Sequence, residues 1–75
     1  MAEGKARVQV LHEERVGPHS LRIWRDGKGV IRSRMFIAPV RPGDWAILVD
    51  TTMSEDFVPL EVETFRDLVR LAEGR

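Results

Sequence analysis

The hydrophobic pattern of this chain changes period once, and that change restricts it to a sheet built first and a helix added last. Over the first two-thirds apolar side chains recur at every second position, whereas from about Glu61 they recur every three or four. Alternation at two residues describes a strand with one covered face, and recurrence at 3.6 describes an amphipathic helix. Val8 and Val10 alternate along residues 7–13 as in a half-buried strand. After Gly17-Pro18, residues 21–25 and 30–37 read as two further strands around Asp26-Gly27-Lys28-Gly29, a strong hairpin signal. Pro39 ends the third strand, because proline cannot donate to a ladder.

Pro42-Gly43 suits the central positions of a type II turn, and the apolar run 45–49 after it reads as a central strand. Residues 50–56 read as a polar connection, and 57–60 as a short edge strand, since Pro59 is poorly placed inside a sheet. In the C-terminal segment Phe65, Leu68, Val69 and Ala72 share one arc with Val62 at its margin, and Leu71 lies off it. Glu61 and Glu63 near the start, Arg70 near the end and Gly74 beyond suit the helix dipole and a glycine stop. The predicted fold is α+β: an antiparallel sheet of four or five strands with one C-terminal helix packed on one face.

Seventy-five residues make a single domain, 1–75, with residues 1–5 expected to be flexible. A core in this size range supplies only about 3–5 kcal/mol, which favours a homo-oligomer. With 43% apolar and 32% charged residues the composition is that of an ordinary globular domain. No run approaches the roughly 18 apolar residues of a membrane span, and residues 1–5 lack the apolar stretch of a secretion signal. A soluble, cytoplasmic protein without membrane association is expected.

The hairpin register decides what the sheet displays, because a one-residue slip exchanges its faces. A three-residue loop of Gly27, Lys28 and Gly29, closed by a left-handed glycine, pairs Asp26 with Val30 and sets Trp24 opposite Arg32 and Arg22 opposite Arg34. This register collects Leu21, Ile23, Ile31, Met35 and Ile37 on one face, with Arg25 and Ser33 among them. The other face then shows Arg22, Trp24, Arg32, Arg34 and Phe36, with Lys28 at the tip. Aromatic rings among guanidinium groups are what single-stranded nucleic acid requires, since bases stack and phosphates pair. The same residues also suit an ordinary sheet surface, with Arg32 stacked on Trp24 or the ring set in a dimer interface.

Charge is sorted along the chain although it sums to zero. Residues 1–41 hold nine basic and four acidic side chains, residues 42–75 three and eight, giving +5 and −5. Such a split suits a polyanion surface, and equally two parts of one fold neutralising each other.

Other chemistry finds few residues. Without cysteine there is no disulfide, thiolate or cysteine-based metal site. His12 and His19 flank a turn and lack the spacing of a helical metal pair, and Asp50, Glu55 and Asp56 lack that of a calcium loop. Ser20, Ser33 and Ser54 sit in no nucleophile elbow, and Gly27 and Gly29 precede a strand where a phosphate cradle needs a helix. No enzyme, metal or cofactor is therefore expected.

Residues 58–68, with Val58, Leu60, Phe65 and Leu68 spaced as apolar, any, apolar, four residues, aromatic, two residues, leucine, resemble the strand-to-helix passage of the PC4-like single-stranded-DNA-binding coactivators. Residues 25–31 are similar to that family's lysine-and-glycine hairpin between basic strands. The resemblance covers about half the chain and departs at 45–49 and 54–56, which this sequence interposes. It implies a dimer whose sheet surfaces hold unpaired strands. The reading of the sequence is thus a non-enzymatic binding module for single-stranded nucleic acid through Arg22, Trp24, Lys28, Arg32, Arg34 and Phe36. The alternative is a protein-interaction or regulatory module, which zero net charge favours.

Overall fold

The computed structural model describes residues 7–74; residues 1–5, expected to be flexible, lie outside them. Four strands, β1 (Gln9–Val16), β2 (His19–Arg25), β3 (Ile31–Ile37) and β4 (Ile47–Met53), form one antiparallel sheet in the order β1-β2-β3-β4. A 3₁₀ turn, Glu55–Phe57, leads into the helix α1 (Val58–Glu73). The architecture is α+β, with α1 touching β2 and β3.

The turns follow from local chemistry. Gly17 takes φ of 57° so that two residues join Val16 to its partner His19. In the second hairpin Gly29 is left-handed at 84°, and the Asp26 N–H donates to the Val30 carbonyl at 2.9 Å. That closes the three-residue loop and pairs Trp24 with Arg32 and Arg22 with Arg34, as the burial argument required. At 41–44 the Asp44 N–H donates to the Arg41 carbonyl at 3.0 Å with Gly43 at 90°, a type II turn.

The core lies between α1 and the inner strands: Leu21, Ile23, Ile31, Met35 and Ile37 from the sheet, Phe65 and Val69 from the helix. The five sheet residues are those that the register argument placed together. Gly74, left-handed at 76°, ends α1 with its N–H directed to the carbonyls of Arg70 and Leu71. No helix among the described residues is long and apolar enough to cross a membrane.

Polar groups on the covered side are matched by acids from the C-terminal segment. The Ser33 hydroxyl, buried, donates to Glu61 Oε2 at 2.9 Å, and Arg25 pairs with Glu55 at 3.6 Å. His19 is buried completely. Its Nδ1 accepts from the Ala38 N–H at 3.0 Å, and its Nε2 lies 2.8 Å from Glu73 Oε2. This network requires the Nε2–H tautomer and ties the last turn of α1 to the start of β2.

Four expectations are corrected. Val8 and Val10 are exposed because a bulge at Leu11 breaks the β1 register between Val10 and His12, turning Leu11 inward and leaving Val10 beside Trp24. The run 45–49 is no central strand: it leads into β4, an edge on which Ile47, Leu48 and Val49 are exposed. The polar connection is shorter than expected, since β4 continues to Met53 through Thr51 and Thr52. Residues 57–60 form no strand, because Pro59 sits in the first turn of α1, where its missing N–H costs no helical bond.

Candidate nucleic-acid interface

The face of the sheet opposite α1 carries the predicted side chains. Arg22 and Trp24 on β2 stand opposite Arg34 and Arg32 on β3, and together with Asp50 and Thr52 of β4 they line an open depression of about 800 Å³. Phe36 shares this face, between Ser20 and Leu48, but lies outside the depression. Lys28 is exposed at the hairpin tip. Four of the six predicted residues are thus brought together and two flank them.

Carboxylates hold Arg32 and Arg34 by hydrogen bonds, and a third stands near Arg22. The Asp26 side chain accepts from the backbone N–H groups of Lys28 and Val30 through Oδ1, at 2.9 and 3.0 Å, and from Arg32 Nε through Oδ2 at 2.8 Å. One residue therefore shapes the turn and aims an arginine. The Arg32 bond and then the Val30 N–H hold the Asp26 carboxyl below its ordinary range. Arg34 forks onto Asp50, Nε to Oδ1 at 2.8 Å and Nη2 to Oδ2 at 3.1 Å, which lowers the Asp50 carboxyl and raises the guanidinium. Arg22 approaches Glu13 at 4.0 Å.

The face is consequently a row of ion pairs around an aromatic ring, with little bare positive charge. Exposed pairs of this kind contribute only about 0–1 kcal/mol each, so an arriving phosphate can take an arginine from its carboxylate at small cost. Arginine suits that exchange, since its fork matches phosphate as well as carboxylate. Trp24 is half-buried and leaves part of its ring accessible to a planar group.

Sequence reasoning missed Asp26 and Asp50 as parts of this site. The first was legible, since an Asx turn in Asp26-Gly27-Lys28-Gly29 leaves its second oxygen opposite Arg32. The second was not, because it needs the β3–β4 register. The acidic side chains of 50–56 turn to different sides: Asp50 points to Arg34 from the open face of β4, and Glu55 pairs with Arg25 on the helix side. His12 and His19 likewise hold Glu14 and Glu73 separately.

No protein-family model, curated protein or solved structure matches the chain.

Proposed function

We propose that this chain is a non-enzymatic binding module whose open sheet face takes single-stranded nucleic acid. The observation that supports it is the depression in which Trp24 stands among Arg22, Arg32 and Arg34. A base stacks on the indole and neighbouring phosphates exchange onto the guanidinium groups, with Lys28 and Phe36 extending the track at either end. Stacking on one ring contributes about 1–3 kcal/mol and tolerates any base, so the binding is sequence-tolerant. The resemblance of the hairpin to that of the PC4-like proteins supports the same ligand class.

Titration of labelled oligonucleotides across a salt series tests this reading. Each phosphate neutralised on a single strand contributes about −0.7 to the slope of log affinity against log salt. Three arginines and Lys28 therefore predict a slope of roughly −2 to −3. Trp24→Ala should weaken binding about 5- to 150-fold, the equivalent of one lost stack. Absence of binding at low salt, or indifference to both Trp24→Ala and Arg32→Ala, would sink it.

A second reading, a protein partner on the same face, is favoured by the ion pairs. A surface that offers Arg22, Arg32 and Arg34 together with Asp26 and Asp50 can match a partner bearing both signs of charge. A stoichiometric protein that co-purifies free of nucleic acid, and is released by Trp24→Ala, supports this reading over the first.

A further inference from the structure

We propose that β4 is the seat of a two-fold dimer of this chain, pairing antiparallel with β4 of a second copy about Leu48. The two edges of the sheet are unlike. β1 is blunted by its bulge at Leu11 and by Glu13, Glu14 and Arg15, devices that keep a strand edge from recruiting another strand. β4 has none of them. Its seven residues pair with β3 without a register break, from Ile31↔Met53 to Ile37↔Ile47, and it contains no proline, lysine or arginine. Its one charge, Asp50, is held by Arg34 within the same chain.

The apolar side chains of this edge lie on both faces of the sheet. Leu48, 58% exposed, is beside Phe36 on the open face, whereas Ile47 and Val49, 38% and 40% exposed, are on the helix face beside Ile37 and Met35. Trp45, just before the strand, is 88% exposed. The helix does not reach them. Arg66 to Glu14 and Glu73 to His19 draw one flank of α1 toward β1 and the start of β2. Leu60 and Leu71, on the side of α1 away from Arg66 and Glu73, are exposed. A ligand lying on one face leaves the other bare, whereas a strand added at the edge shields both and satisfies the outward row of N–H and C=O groups.

Self-complementarity identifies the strand as a second copy. Antiparallel pairing about Leu48 sets Leu48 opposite itself on the open face and Ile47 opposite Val49, twice, on the helix face. Centring on Asp50 instead would set two carboxylates against each other, and centring on Val49 would set Leu48 against Asp50. Two chains of zero net charge meet without long-range repulsion. Trp45, 88% exposed next to this edge, adds apolar area on the order of 200 Å² for a partner to cover. The product is one eight-stranded sheet from two four-stranded halves, with both open faces on the same side and an Arg34–Asp50 pair on each side of the axis.

Sedimentation equilibrium of nucleic-acid-free protein tests this independently of any ligand. The expected mass at about 0.1 mM is twice 8.6 kDa. Val49→Lys should raise the dissociation constant at least about tenfold, with the circular dichroism spectrum unchanged. The chain has no cysteine, so a single Leu48→Cys reports proximity cleanly: it should oxidise to a covalent dimer, while Val10→Cys on the opposite edge should not. A monomer at that concentration, a dimer indifferent to Val49→Lys, or cross-linking through Val10 in place of Leu48 overturns the proposal.

Discussion

Arg34 of β3 and Asp50 of β4 face each other across the ladder and close a two-pronged pair, with Nε to Oδ1 at 2.8 Å and Nη2 to Oδ2 at 3.1 Å. The pair joins the basic first half of the chain to its acidic second half at the centre of the candidate site. It also makes the arginine's availability depend on one carboxylate.

Removing that carboxylate's charge should strengthen polyanion binding. Asp50→Asn leaves Arg34 with a neutral neighbour, and the release of an exposed pair of about 0.2–1 kcal/mol corresponds to roughly 1.4- to fivefold tighter oligonucleotide binding. Fluorescence anisotropy at constant salt measures it, and weaker or unchanged binding contradicts the exchange of carboxylate for phosphate.

Acid should lower stability while freeing the same arginines. Asp26, Asp44 and Asp50 are depressed by bonds from Arg32, Arg41 and Arg34, and Glu14 by Arg66 and then His12. A depressed carboxyl contributes stability that is present above its unfolded pKa and is lost as pH falls through the folded value. With ordinary values of 3.8 for aspartate and 4.5 for glutamate, the loss belongs to the range below about pH 4. Thermal midpoints between pH 7 and 3 should be flat at first and then drop, and a midpoint that rises on acidification contradicts the assignment.

The His19 tie should be worth more than any surface pair. His19→Ala opens a cavity and strands both the Ala38 N–H and Glu73, at a cost of roughly 2–4 kcal/mol. Glu73→Gln keeps an oxygen to accept the Nε2 proton and should cost under about 1 kcal/mol. Urea midpoints of the two variants give the comparison, and equal losses would show that the charge of Glu73 matters beyond its acceptor oxygen.

Among the described residues, Phe65 is the one phenylalanine or tryptophan wholly inside the core. Phe65→Ala should cost about 3–5 kcal/mol, which is most of what a core of this size supplies, and leave the chain largely unfolded at 25 °C. A cooperative thermal transition close to that of the parent protein would contradict this.

Much of the fold was legible because it depends on neighbours in sequence. The change of period separated strands from helix, Gly29 closed a loop that only one register of the hairpin satisfies, and Gly74 stopped α1. The faces of β2 and β3, and with them the company of Arg22, Trp24, Arg32 and Arg34, follow from that one turn. Where the reading failed, a non-local choice intervened. The bulge at Leu11 is invisible to alternation, since it depends on how β1 settles against Ile23 and Trp24. Residues 57–60 offer apolar spacing that suits a strand or a first helical turn, and packing of Val58 on the core selected the helix.

By itself the sequence determined the first three strands, the C-terminal helix, the hairpin register and the five sheet residues that form the core, since turn chemistry and side-chain period act over a few residues. Tertiary structure alone decided that Asp50 answers Arg34, that His19 anchors Glu73 across 54 positions, and that β4 is an edge on which Ile47, Leu48 and Val49 stay exposed. Those outcomes depend on which strand lies beside which and on how far one helix reaches. A single helix packed over β2 and β3 is too narrow to cover the fourth strand, and the apolar run at 45–49, which by pattern belongs inside a sheet, is left at its margin.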